Sequence, residues 1–293
     1  MTKTSLLRKL IPGSFAAAVI AIIAAAPAQA AGGPKALKLT TSGANTSGSI
    51  FTLDHPALNG KSKLNLIAIH NFQGNYNNHA FGFQYNSTLG RWQIQNEDNA
   101  SIALNETFNI LLAPGAKRMP VNPLTVGEGN IAYFPTIAKN KPHNLLLANH
   151  LISIGNGFEG VRLTDPFSTF YWAGNGNWSI YTDNNADMKA VAFNIADVTT
   201  LKVAGTPVSF LVTSNAGNVA SNQVAINNPL TTGKPNAVVF ARHLYSNEAS
   251  PTYMTKEVGV WYNGVTWKIY TEDQSAMPIN EAFVVTVIPT AAP

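Results

Sequence analysis

KSKLNLIAIH at 61–70, KPHNLLLANH at 141–150 and KPNAVVFARH at 234–243 share one frame. Each opens on lysine and closes on Ala-x-His, through Ala68 and His70, Ala148 and His150, and Ala241 and His243. The spacing from lysine to histidine is nine in all three. Leu64, Leu66, Ala68 and His70 fall on one side of an alternating pattern, as do Val239, Ala241 and His243. Alternation of period two marks a β-strand with one face turned to a core.

A second block follows each frame: FQYNSTLGRWQIQNED (83–98), FYWAGNGNWSIYTDN (170–184) and WYNGVTWKIYTED (261–273). Tyr85, Tyr171 and Tyr262 enter a Gly/Asn-rich turn, and Trp92, Trp178 and Trp267 leave it. An isoleucine stands two residues after each of these tryptophans and an acid five after: Glu97, Asp183 and Glu272. Asn-Gly between aromatic runs is a strong hairpin signal. A third block starts at Phe108, Phe193 and Phe283, and a short strand is expected before each lysine frame, at 50–53, 131–134 and 223–226. The Trp-to-Trp spacings are 86 and 89. Three blocks in one order at one period mean that the chain is a triplication.

Outside the N-terminus no window holds a 3.6-residue period. The predicted fold is therefore all-β: three tandem antiparallel β-sandwich-like repeats of about five strands. The Pro/Gly-bearing stretches 113–124 and 197–207 read as connectors. They set the boundaries: a signal peptide over 1–30, then repeats over 31–115, 124–197 and 207–289. One closed body with pseudo-threefold symmetry is the alternative. In either case the buried face of each copy must be covered, by its own second sheet or by a neighbour.

The N-terminal 30 residues carry Lys3, Arg8 and Lys9, a continuous apolar run over 15–26, and Ala28-Gln29-Ala30. A charged start, a short apolar core and a small-x-small exit make a secretory signal peptide. The run is too short for a bilayer span, which needs about 20 residues. Cleavage would take the 19 basic residues to 16 against 15 acidic ones, a balance of +1. That leaves no basic surface for nucleic acid, and no later segment is apolar and long enough to span a membrane as a helix. The chain has no cysteine, which excludes disulfide scaffolds, thiolate zinc sites and thiol nucleophiles. A secreted or periplasmic product, free or surface-associated, is expected, with no cofactor.

The third copy, GVWYNGVTWKIYTEDQSAMPINEAFVV (259–285), resembles an uncharacterised repeat-domain family of exported bacterial proteins. The resemblance rests on Gly259, Trp261, Tyr262, Gly264, Trp267, Ile269, Asp273, Met277, Pro278 and Phe283. The first copy departs with Gln84 in place of Trp261 and without Met-Pro, and the second carries Met188-Lys189. The resemblance implies export and repetition and supplies no chemistry.

Five tryptophans mark the hairpins. Trp92, Trp178 and Trp267 each share a strand face with an isoleucine, the pattern of a core anchor. Trp172 and Trp261 lie on the entering strand, where the copies differ. With Tyr85, Tyr171 and Tyr262 they are the predicted ligand contacts, since rings on a β scaffold can stack on sugars. His70, His150 and His243 read as one structural strand-end histidine per copy, with ring nitrogens on backbone groups. A zinc site would require the three to meet. Asp183, Asn185 and Asp187 imitate the start of a calcium loop, but Met188 and Asn194 break it. The G-x-G-x-x-G at 155–160 lacks the helix that would receive a phosphate. No residue is predicted to be catalytic, and no metal ligand is predicted.

The expected function is a secreted, non-catalytic binding or adhesion protein for a glycan or cell-surface component. A polysaccharide-acting hydrolase is one alternative; it would need facing carboxylates, for which Glu97, Asp183 and Glu272 are the systematic supply. A self-assembling extracellular structural protein is the other.

Overall fold

The computed structural model of the chain describes residues 33–121, 129–153, 160–188, 191–245 and 252–289. The expected signal segment, most of 155–160 and Lys189 lie outside the described residues.

The first copy contributes β1 (Lys35–Thr40), β2 (Thr46–Ser47), β3 (Ile50–Leu53), β4 (Leu66–Asn71), β5 (Phe81–Asn86), β6 (Arg91–Asn96) and β7 (Thr107–Leu112). The second contributes β8 (Lys117–Pro120), β9 (Ile131–Phe134), β10 (Leu146–Leu151), β11 (Phe167–Trp172), β12 (Asn177–Thr182) and β13 (Ala192–Asp197). A small hairpin, β14 (Lys202–Val203) and β15 (Thr206–Pro207), leads into the third. That copy holds β16 (Ser209–Thr213), β17 (Val219–Ala220), β18 (Gln223–Ala225), β19 (Val238–Tyr245), β20 (Val258–Tyr262), β21 (Trp267–Thr271) and β22 (Ala282–Ile288). β8 falls inside the stretch read as a connector. Its sequence KRMP does not alternate, and only its pairing with β13 makes it a strand.

Each copy holds two groups of three strands, with the short β2 and β17 added beside β3 and β18 in the first and third copies. One sets the strand of the histidine beside the strand of the third block and the copy's first strand: β1-β7-β4, β8-β13-β10 and β16-β22-β19. The other joins the aromatic hairpin to the short strand before it: β3-β6-β5, β9-β12-β11 and β18-β21-β20. Pairing inside a group is antiparallel. In the first copy the two groups face each other across Leu66, Ala68, Phe108 and Ile110 on one side and Phe51, Phe83, Trp92 and Ile94 on the other. This is a sandwich-like unit, as expected of an amphipathic sheet that must cover its apolar face.

The sheets continue past the copy. β5 of the first copy lies parallel to β10 of the second, β11 of the second to β19 of the third, and β20 of the third to β4 of the first. The three sandwiches therefore share three sheets in a cycle, and the third copy closes back on the first. The sequence pattern predicted one buried face per copy. Instead β4, β7, β10 and β22 are buried along their whole length. Their second face is covered by neighbouring copies: Ile67, Ile69 and Leu111 join the core built by copies two and three. Amides bridge the copies there. Asn109 Nδ2 donates to Val239 O at 2.8 Å, Asn194 Nδ2 donates to Leu66 O at 3.1 Å, and Asn149 Oδ1 accepts from Ala68 N at 2.8 Å. Among the described residues no helix is long and apolar enough to cross a membrane.

Candidate functional site

The repeated tryptophans anchor each hairpin to its own lysine frame. Trp92 Nε1 donates to Lys61 O, Trp178 Nε1 to Lys141 O and Trp267 Nε1 to Lys234 O, each at 2.9 Å. All three rings are buried. The lysine thus marks a carbonyl that receives an indole N–H, so an amphipathic ring can be buried with its polar atom satisfied. Tyr85, Tyr171 and Tyr262 lie half-buried against Trp92, Trp178 and Trp267, with ring centroids 5.3, 5.8 and 5.9 Å apart.

The histidines and the repeated acids meet across the three junctions. His150 Nδ1 lies 2.5 Å from Glu97 Oε1, and His70 Nδ1 lies 2.8 Å from Glu272 Oε1. At the third junction Ser168 intervenes. Its Oγ is 2.8 Å from His243 Nδ1 and donates to Asp183 Oδ2 at 2.7 Å. Each acid also accepts a backbone N–H of the copy that supplies the histidine: Leu163 N to Glu97, Asn77 N to Glu272 and Met254 N to Asp183. The expectation that the rings bond backbone groups is corrected. Their partners are side chains of the neighbouring copy, because junction formation brings a buried carboxylate to each ring. The three histidines occupy three separate junctions, and among the described residues no group of His, Asp and Glu is gathered to hold a metal ion.

One position explains why the third junction needs a serine. Gly82, Ser168 and Gly259 are equivalent, three residues before the tyrosine of each hairpin. A Cβ on Gly82 would meet Glu97 Oε1 at 2.7 Å and Ile152 Cγ1 at 2.8 Å. A Cβ on Gly259 would run into the Tyr270 hydroxyl and the Glu272 carboxylate. Glutamate goes with glycine in these two junctions. In the other, the shorter Asp183 leaves a gap of 3.9 Å to His243 Nδ1, and the serine hydroxyl fills it.

The electrostatics follow from burial. Burial, against the pull of His243, pushes Asp183 up to about 6. Burial and the neighbouring Glu272 raise the Tyr270 hydroxyl, and burial with Asp183 raises Tyr181. A second acid stands on the far side of two histidines. Glu281 Oε2 lies 2.8 Å from His243 Nε2, and Glu106 Oε2 lies 4.0 Å from His70 Nε2. Burial raises Glu106 as well. In the second copy Val191 takes this place.

Ser168, His243 and Glu281 are spaced like a nucleophile, base and orienting acid. All three are buried, and the serine hydrogen points to Asp183, so no solvent-borne substrate reaches the hydroxyl. Glu97, Asp183 and Glu272 are likewise 1–2% exposed. The chemistry-bearing residues of the repeat are spent on holding copies together.

The outward faces of the hairpin groups are where the copies differ. Trp172 is 46% exposed and packs edge-on to Phe170, with centroids 6.0 Å apart. Trp261 is half-buried, edge-on to Phe72 of the first copy at 6.2 Å. Phe72 in turn packs against Tyr76 and Tyr270. At the equivalent junction face of the first copy stand Gln84 and Gln95, with the amide of Gln84 donating to Gln93 at 3.1 Å. On that copy a cleft opens between residues 43–47 and the sheet, lined by Thr52, Asp54, Leu89, Arg91 and Gln93. Arg91 Nε lies 3.2 Å from Asp54 Oδ1 there. Tyr76, Tyr245 and Tyr253, which extend the aromatic clusters, stand outside the repeated blocks, and only the fold gathers them.

A family profile described as a domain of unknown function, DUF7452, matches the chain three times, over residues 27–112, 82–197 and 193–287. Comparison with curated proteins and with solved structures gives no match.

Proposed function

From a chain that belongs to the DUF7452 family, with three copies closed into one body, we infer an exported, non-catalytic binding protein that attaches to a glycan or another surface component. One observation carries the reading: the repeated histidines and carboxylates are buried at the junctions, whereas aromatic rings are left on the outward faces. An amphipathic ring on a rigid sheet offers contact area at little conformational cost. The charged, apolar and small-residue sequence of the N-terminal 30 residues supports export, as does the likeness of 259–285 to repeats of exported bacterial proteins.

The test is a glycan array probed with the mature chain, together with an assay for new reducing ends on the same polysaccharides. Binding without turnover is the expected result. Release of reducing ends would assign the protein to the hydrolases. Concentration-dependent assembly in sedimentation without any binding would make it a structural protein.

A further inference from the structure

We propose that the outward face of β11 and β12, with Tyr245 and Tyr253 beside it, is a binding platform for an uncharged polysaccharide. The inference rests on the binding reading above and gives that reading a place and a ligand class.

The register defines the face. Phe167, Tyr171, Trp178 and Ile180 point into the core or pack against it. Alternation then turns Ser168, Phe170, Trp172, Asn177, Ser179 and Tyr181 to the other side, where Ser168, Phe170, Ser179 and Tyr181 are buried and Trp172 and Asn177 reach the surface. None of them is charged. Tyr133 of β9, paired with Ser179, adds a further neutral ring to that side.

Five aromatic rings are contiguous there. Phe170 lies 5.4 Å from Tyr181 and 6.2 Å from Tyr245, while Tyr181 lies 5.2 Å from Tyr253. Tyr245 and Tyr253 are stacked, 5.5 Å apart and 18° from parallel. Phe170 and Tyr181 form the floor, and Trp172 and Tyr253, 46% and 47% exposed, stand at its rim.

The triplication supplies an internal control. The fold builds the same position with Gln84 in the first copy where Phe170 stands here, and with Gln95 where Tyr181 stands. Trp172 has Asn86 and Asn263 as its equivalents. Aromatic rings are therefore not a requirement of the scaffold at this place. The equivalent faces also carry charge, with Arg91 in the first copy and Lys268 opposite Trp261 in the third. Of the three, the face of the second copy combines exposed rings with the neutral Asn177 and Tyr133 and with no charged side chain on β11 or β12. A charged ligand would find no counter-charge among these residues, and a purely apolar one would offer no polar partner to the half-buried Asn177 or to Tyr245 and Tyr253 at the edge. A neutral pyranose chain satisfies both, with C–H faces on the rings and hydroxyls on the polar groups.

The experiment is depletion of the mature chain from solution by cellulose, chitin and amylose, with alginate as the anionic comparison. Retention on at least one neutral polymer is expected. The double variant Trp172→Ala/Tyr253→Ala should weaken it tenfold or more. Phe170→Gln, which installs the residue of the first copy, should weaken it too. Leu89→Ala, an exposed change on the first copy, should leave it unchanged. Thermal melts confirm that the variants are folded. Retention that the double variant does not alter, or retention on alginate alone, overturns the platform while leaving a binding function elsewhere on the chain. Self-association lost in the double variant, without polysaccharide retention, assigns the face to a second copy and also overturns it. No retention on any of the polymers overturns it as well, and the array then decides whether the broader reading survives.

Discussion

The hydroxyl of Ser168 lies 2.8 Å from His243 Nδ1 while donating to Asp183 within its own copy, and it joins the second and third copies through a bridge that the other two junctions do not use. There a glutamate reaches its histidine directly beside a glycine. The pairing of long acid with no side chain, and short acid with a hydroxyl, makes the junctions a set of natural compensations. Ser168→Gly alone leaves Asp183 and His243 unbridged across a buried gap and should cost about 1–3 kcal/mol, the usual penalty for an unsatisfied buried group. Adding Asp183→Glu should recover most of it. A denaturant double-mutant cycle measures this coupling, and additive losses would contradict it.

The reverse change is expected to fail. Gly82→Ser places atoms where Glu97 and Ile152 already stand, so it should cost about 1–3 kcal/mol by overpacking. Combined with Glu97→Asp it should be tolerated better than alone, as judged by urea midpoints.

Removal of one partner of a buried histidine–carboxylate contact strands the other. His150→Ala leaves Glu97 buried with its backbone donor and no ring, and should lower stability by about 3–5 kcal/mol. A loss below about 1 kcal/mol in chemical denaturation would mean that the junction is held by apolar packing alone.

The buried Asp183 and the half-buried Glu257 set the pH response. Asp183 rises from an ordinary value near 3.8 to about 6. Burial, opposed by Arg242, takes Glu257 from near 4.5 to about 7. The folded chain therefore binds more protons than the unfolded chain between roughly pH 4 and 7, and stability rises as pH falls through that window. The cost of ionising these groups in the fold is greatest above pH 7 and gone below the unfolded values. Urea midpoints should increase from pH 8 to pH 5, and Asp183→Asn should flatten the trend. A midpoint that falls steadily over that range would contradict the assignment.

Trp267 and Trp261 separate packing from presentation. Trp267 is buried and bonded to Lys234 O, so Trp267→Ala should cost about 3–5 kcal/mol. Trp261 is half-buried, and Gln84 stands at its place in the first copy. Trp261→Gln should cost about 1 kcal/mol. Equal losses in parallel melts would make both rings core.

Much of this was legible in the sequence because it is local. The lysine frame, the Asn-Gly hairpins and the tryptophan–isoleucine faces are short-range patterns, and the strands at 50–53, 131–134 and 223–225 follow them. The closure was not legible as a choice over separate units. It depends on which copy meets which, and Glu272 reaches His70 across nearly the whole chain. One signal was present: Gly82 and Gly259 accompany glutamates, and Ser168 accompanies an aspartate. Such covariation within one chain points to contact, although it does not show that the contact crosses copies. Tyr245 and Tyr253 could not be assigned to a cluster, because neither belongs to a repeated block.

The closed cycle of three copies is the central claim, and the absence of native cysteine makes it directly measurable. Tyr76 in the first copy and Trp261 in the third both pack against Phe72. The double variant Tyr76→Cys/Trp261→Cys, treated at high dilution with a short bismaleimide, should form an intramolecular cross-link seen as a faster band on a denaturing gel. Each single variant should give none. Failure of the folded double variant to cross-link within one chain, with both thiols shown to react with a monofunctional maleimide, would mean that the third copy does not close on the first.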